Sequence, residues 1–122
     1  MAATSIPDRI DTVADRAATA RAEATAAATS GRDAALDIAR DGVWPTIRIY
    51  IDARRTGHRF DQATHDRLER ALNDWLIAYA AAYGYDIDPA VPVREAGEAF
   101  LDTHNVLDTA RVLTGVPPRD DR

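Results

Sequence analysis

The sequence predicts an all-α protein in which a long alanine-rich N-terminal helix packs on a compact bundle of three further helices. Apolar residues recur at every third or fourth position along most of the 122 residues, which is the period of a helix buried on one face. Prolines near the starts and glycines just past the ends bracket these stretches. We therefore expect a single helical domain over 1–122, with a first helix at 6–41, a three-helix unit at 44–115 and a loose tail at 116–122.

The first helix has a start signal at Ser5 and two glycines, Gly31 and Gly42, that can interrupt or end it. Ser5 can cap it, and Pro7 falls in the first turn, where its missing N–H costs nothing. The helical pattern continues to about Arg40, and Gly42 is predicted to end it. Gly31 is a possible break within it.

Small side chains form a heptad seam along this helix, because they are spaced by alternating steps of four and three residues. The seam comprises Ile6, Ile10, Val13, Ala17, Ala20, Ala24, Ala27, Gly31, Ala34 and Ile38. Each buried methyl contributes only about 0.8 kcal/mol. Packing against such a face is therefore stabilised mainly by many close contacts along a rigid helix.

We interpret the seam as a surface for another helix, with the interaction assigned to Ile10, Val13, Ala17, Ala20, Ala24 and Ala27. A parallel, in-register homodimer is disfavoured because Arg16 would face Arg21 of its partner. Antiparallel association and packing on the chain's own later helices both remain open.

The second segment, WPTIRIYIDARRTG at 44–57, fits two structures. Ile47, Ile49 and Ile51 alternate as in a strand, whereas Trp44, Ile47, Tyr50, Ile51 and Arg54 share a helical face. A lone strand would have unpaired edges. We therefore predict a helix for this segment.

The third and fourth segments have simpler patterns. The third begins after Phe60 and the capping residue Asp61, and Gly84 ends it. The fourth starts near Pro92 and stops at Gly115. Its apolar stripe keeps helical phase throughout, so we interpret it as one helix and not as a helix-turn-helix pair.

Composition excludes several classes of protein. There is no cysteine, so disulfides, thiolate nucleophiles and Cys-based metal sites are absent. No run of about 18 apolar residues and no signal peptide is present, which predicts no membrane contact and a cytoplasmic or virion location. A net charge of −5 makes a nucleic-acid partner unfavourable.

One basic neighbourhood stands out against this acidic background: Arg48, Arg54, Arg55 and Arg59. It could bind a phosphate or an acidic partner. Alternatively, these arginines are there because the negative C-terminal end of a helix favours cations.

Two polar clusters are candidate sites. Asp61, His65 and Glu69 follow at four-residue steps and could hold a divalent ion or act as acid and base, or simply form a solvated face with ordinary ion pairs. The second cluster, expected in the middle of the fourth helix, is Asp102, His104, Asn105 and Asp108. No suitably placed serine or cysteine completes a hydrolytic triad with it.

These features favour a non-enzymatic helical module for protein–protein interaction or assembly, as a subunit of a larger complex or virion. We expect no catalytic residue, cofactor or metal. The expected partner is another protein or a second copy of the chain. A small DNA-associated regulator that uses the Arg48–Arg59 neighbourhood is the alternative, and an enzyme or metal site at Asp61, His65 and Glu69 is ranked last.

Overall fold

The computed structural model of the chain describes residues 5–27 and 30–117, and these residues form helices and connecting loops without a strand. The all-α prediction is therefore confirmed, as is the packing of a long N-terminal helix on other helices. The elements are α1 (Ile6–Ala26), α2 (Arg32–Ile38), a π-helical turn (Ala39–Val43), α3 (Trp44–Arg55), α4 (Gln62–Ala82), α5 (Val93–Thr103) and α6 (Val106–Thr114).

Helix α1 begins where the sequence indicates. The Ser5 hydroxyl accepts a hydrogen bond from the Asp8 backbone N–H at 3.2 Å, and Pro7 lies in the first turn. Ser5 therefore satisfies one of the backbone donors that a helix start leaves free. From this start α1 lies along α4, and these two helices form the most extensive contact between elements.

The first helix does not run unbroken over 6–41, because α1 ends at Ala26 and α2 starts at Arg32, directly after the break that the sequence allowed at Gly31. Ala27 is extended, Gly31 adopts φ 96°, and residues 28 and 29 lie outside the described residues. The Gly31 N–H donates to the Ala82 carbonyl at 2.8 Å. Carbonyls at a helix C-terminus lack intrahelical donors, so the break between α1 and α2 helps to cap α4.

The predicted helix end at Gly42 is wrong. The chain passes from α2 through the π-helical turn directly into α3, and the Trp44 N–H donates to the Ala39 carbonyl five residues back. Pro45 explains this geometry, since its ring cannot donate a hydrogen bond and would clash with the carbonyl of residue 41 in a regular α-helix. The wider π turn accommodates the proline without ending the helix.

The π-helical turn also brings the backbone against a large aromatic side chain. Gly42 is buried under Trp75 of α4, and a Cβ built on Gly42 would lie 2.2 Å from Cε3 of the indole ring. This position therefore excludes any side chain. This close approach of the Gly42 backbone to the Trp75 ring lets the continuous α2–α3 segment pack on α4.

The ambiguous segment at 44–57 is helical, as predicted: α3 spans Trp44–Arg55. Ile47 and Ile49 lie on nearly opposite sides of this helix and are both buried, so α3 is covered on two sides, which explains the strand-like alternation of isoleucines. Asp61 caps α4 as predicted, since its carboxylate accepts from the Thr64 N–H at 2.8 Å. Hydrogen bonding by the Thr64 side chain, together with this backbone N–H, lowers the pKa of Asp61.

The single fourth helix predicted from Pro92 to Gly115 is wrong, because the chain forms two helices. His104 ends α5 with φ 54°, and Asn105 caps α6 by accepting from the Leu107 and Asp108 N–H groups at 2.8 and 3.0 Å. The apolar stripe keeps its phase across the break, so hydrophobic spacing alone concealed it.

The tail predicted as loose from residue 116 is ordered at its start. Val116 is buried, and its carbonyl accepts a hydrogen bond from the Tyr79 hydroxyl at 2.7 Å. Residues 118–122 of the predicted tail lie outside the described residues. The end of the described chain is therefore held against α4.

Tyr79 gives the fold a pH dependence at alkaline pH. Burial raises the pKa of its phenol to about 12, whereas the phenol of the unfolded chain ionises near its ordinary pKa of about 10. Between these values the unfolded chain binds fewer protons than the folded chain, so stability falls as pH rises. We expect urea melts to show a loss of about 2 kcal/mol from pH 10 to 12.

Tyr79→Phe is the matched control for this dependence. The chain contains no lysine or cysteine, so tyrosines are the main side chains that titrate in that window. The variant should be less stable at pH 8 by about 1 kcal/mol, the net value of a hydrogen bond, and its stability should change little from pH 10 to 12. An equally steep fall in the variant would assign the dependence to another group.

Candidate functional site

The predicted seam of α1 is covered by the chain itself. Ile10, Val13, Ala17 and Ala24 are buried in the core, Ala20 is half-buried, and Ala27 is exposed. Of the arrangements left open by the sequence, packing on the chain's own helices is therefore the one observed, with α4 as the main partner.

Ion pairs hold α1 in register on both sides of this seam. Arg21 contacts the largely buried carboxylate of Asp74 at 2.8 Å, and Arg9 contacts Asp52 of α3 at 3.0 Å. Asp11 and Arg67 form a third pair between α1 and α4. These ion pairs fix the register of α1 on α3 and α4, because a face of small residues alone would allow the helices to shift along each other. The covered part of the seam is not available to a second protein without unfolding.

An open groove with a mostly apolar lining lies between α3 and α5, with a volume of about 290 Å³. We call it the α3/α5 groove. It is lined by Tyr50, Ile51, Arg54, Arg55, Arg94, Gly97, Glu98 and Leu101.

Two contacts shape the α3/α5 groove. The rings of Trp44 and Phe100 pack at 4.5 Å between centroids and join the two helices. Gly97 lets Tyr50 lie close to the α5 backbone, since a Cβ there would be 3.0 Å from the Tyr50 ring. Leu101 stands at the groove with 57% of its surface exposed. Leu101 lines the groove together with Tyr50 and Ile51, so the three side chains form its apolar lining.

The rim of the α3/α5 groove is positively charged. Arg54 lies over the Tyr50 ring, with its guanidinium carbon 6.0 Å from the centroid and Nη1 3.4 Å from the phenol oxygen. Arg94 lies 3.8 Å from Glu98, and Arg55 is exposed. Within residues 5–27 and 30–117, neither Arg54 nor Arg55 forms a salt bridge. The groove is thus a positively charged surface on a chain whose net charge is −5.

The predicted basic neighbourhood is only partly brought together. Arg54 and Arg55 line the groove, whereas Arg48 lies 3.7 Å from Asp52 and Arg59 falls in the loop after α3. Arg94 completes the basic rim and was missed. No local pattern could have found it, because only the packing of α5 on α3 places it beside Arg54 and Arg55.

The cluster Asp61, His65 and Glu69 has structural contacts. Asp61 caps α4, and Glu69 accepts a hydrogen bond from the Val93 N–H at 2.9 Å, which fixes the start of α5. His65 Nε2 is 4.0 Å from the Glu69 carboxylate. Within the described residues no group of three or more His, Asp or Glu side chains is arranged to hold a metal ion.

The other polar cluster does not lie in the middle of a helix, as was expected. Asp102 is exposed near the end of α5, while His104 and Asn105 form the turn and Asp108 lies in the first turn of α6. Asn105 and Thr103 hydrogen-bond to backbone groups of this turn. These residues shape the connection between the two helices.

The fold and the groove together define an all-α protein with a basic, partly apolar surface groove. None of the described helices has the length and hydropathy needed to cross a lipid bilayer. The chain belongs to a family described as a domain of unknown function (DUF8055), whose model matches residues 4–118. Neither the curated proteins nor the solved structures yielded a match to this chain.

Proposed function

We propose that this protein is a non-enzymatic helical assembly module, and that it associates with copies of itself through the α3/α5 groove. One observation carries the proposal: Leu101 is 57% exposed in a groove whose rim is formed by Arg54, Arg55 and Arg94. Interface centres are rich in arginine and aromatic side chains, and Tyr50 and Arg54 supply both here.

The contrast between the buried seam of α1 and the apolar side chains that stay exposed supports the same function. Most of the alanine seam is buried, mainly against α4, so this face of α1 packs within the fold. The side chains that remain large, apolar and exposed among the described residues are Tyr85, Leu101 and Val112. Of these, Leu101 is the one that lies in the groove between α3 and α5.

Replacement of Leu101 tests the proposal. Sedimentation velocity at tens of micromolar should show wild-type chain above the monomer mass, and Leu101→Ser should weaken the association at least about tenfold, as expected for an interface anchor. Val112→Ser is the matched control, because Val112 is 67% exposed but lies on α6, outside the groove. A wild-type chain that stays monomeric at hundreds of micromolar would refute self-assembly.

A DNA-associated regulator is the second candidate, favoured by the addition of Arg94 to Arg54 and Arg55 and by the sharp turn between α5 and α6. Asp108 in the first turn of α6 opposes it, since it would face phosphates. A mobility shift of duplex DNA that fades with salt and disappears in Arg94→Glu would promote this function over assembly.

A further inference from the structure

The α3/α5 groove has the size and charge for a short acidic segment with one large apolar side chain. Its volume of about 290 Å³ is at the lower limit of small-molecule sites, which span about 300–1,000 Å³. The lining includes Arg54, Arg55 and Arg94 but one carboxylate, Glu98. Its occupant should therefore carry carboxylates next to its apolar anchor.

One segment of the chain itself has this character. Tyr85 is 44% exposed, it is followed by the exposed carboxylates of Asp86 and Asp88, and the sequence from 84 to 92 contains no basic residue. By comparison, exposed Val112 is adjacent to Arg111, which would be repelled by the basic rim. We call residues 85–88 the acidic loop.

Hydrogen bonds at Tyr85 and beyond the acidic loop at Val91 hold the chain in place on both sides of it. The Tyr85 N–H donates to the Ala80 carbonyl at 2.9 Å, and the Asn73 side chain donates to and accepts from the backbone of Val91. Ile87 packs against a buried apolar cluster that includes Tyr79 and Ala110. A loop already ordered before association loses little conformational entropy on binding.

We propose that the acidic loop of one copy occupies the α3/α5 groove of a second copy, an inference that rests on the assembly function proposed above. Tyr85 enters beside Leu101 and stacks on the basic rim, where cation–π contact with arginine is favourable. Asp86 and Asp88 pair with Arg55 and Arg94. Each copy carries both halves of the contact, so the same pairing can close a reciprocal dimer or extend a chain.

Charge reversal on each half provides the test. A groove variant, Arg55→Glu with Arg94→Glu, places like charges opposite the wild-type loop, and a loop variant, Asp86→Arg with Asp88→Arg, does so from the other side. Each variant alone should associate at least about tenfold more weakly than wild type in sedimentation velocity. An equimolar mixture should recover association, because each loop then meets an oppositely charged groove.

Matched controls separate local pairing from net charge. Arg32→Glu with Arg40→Glu changes the net charge as the groove variant does, and Asp33→Arg with Asp37→Arg matches the loop variant. All four substituted residues lie on the α2 side of the chain and are exposed. Both controls should associate as wild type does, and circular dichroism should show unchanged helix content in every variant.

The outcomes distinguish the two proposals. A loop variant that associates like wild type, or a mixture that does not recover, overturns the loop–groove pairing while self-assembly through Leu101 stands. A monomeric wild-type chain overturns both. Loss in each variant, with recovery on mixing, supports the pairing.

Discussion

Gly42→Ala is expected to lower the free energy of unfolding by about 3 kcal/mol, a large cost for adding one methyl group to a core. The new Cβ would lie 2.2–2.5 Å from three atoms of the Trp75 ring. Trp75 is itself buried in the same apolar core as Ile10 and Val13 of α1, so a shift of its ring would disturb close packing. Thermal melts should show a decrease in Tm of about 10 °C for a chain of this length.

Removing the indole provides the control for this prediction. In a Trp75→Leu background the clash is gone, and alanine is the better helix former by about 1 kcal/mol. Gly42→Ala should then be neutral or stabilising, which a double-mutant cycle measures directly. An equal loss in both backgrounds would mean that the backbone of the π-helical turn, and not the ring, demands glycine.

Ala17→Leu is expected to destabilise the fold by about 2 kcal/mol, because Ala17 is fully buried where α1 packs on α4. Extra methylenes in a close-packed site force side chains from their rotamers or separate the helices. Urea denaturation should show this loss as a lower midpoint with an unchanged m-value.

The same substitution on the outer face of α1 is the control. Ala22 is exposed, and leucine has nearly the helix propensity of alanine. Ala22→Leu should therefore change stability by no more than about 0.5 kcal/mol. If both substitutions are tolerated equally, close packing of the seam is not what holds α1 on α4.

Helix starts and the buried seam could be predicted because each depends on residues close together in sequence. Ser5 and Asp61 cap their helices as expected, and Ile10, Val13, Ala17 and Ala24 are buried at the expected spacing. Caps and amphipathic faces are local properties of the chain. The residues at each cap and on each face were therefore enough to predict it.

The helix boundaries at Asn105 and Gly42 were harder to predict, for two different reasons. At Asn105 a signal was present, an N-cap residue followed three residues later by Asp108, but an apolar stripe that kept its phase concealed it. At Gly42 the usual stop signal was misleading. The glycine is required there by contact with Trp75, which lies far along the chain.

The α3/α5 groove could be predicted only in part. Arg54 and Arg55 were identified as basic residues, but Arg94, Gly97 and Leu101 join them through the packing of α5 on α3. Periodicity places a residue on a face of its own helix and gives no information on which helix it will meet. The exposed position of Leu101 follows from the way α5 packs on α3.

We propose that assembly uses the α3/α5 groove while the alanine seam stays packed inside the fold. Hydrogen–deuterium exchange, compared between dilute and concentrated protein, tests it most directly. Concentration should slow exchange in segments 50–55, 85–88 and 94–101 and leave α1 unchanged. Slower exchange along α1, with the groove segments unaffected, would contradict the claim.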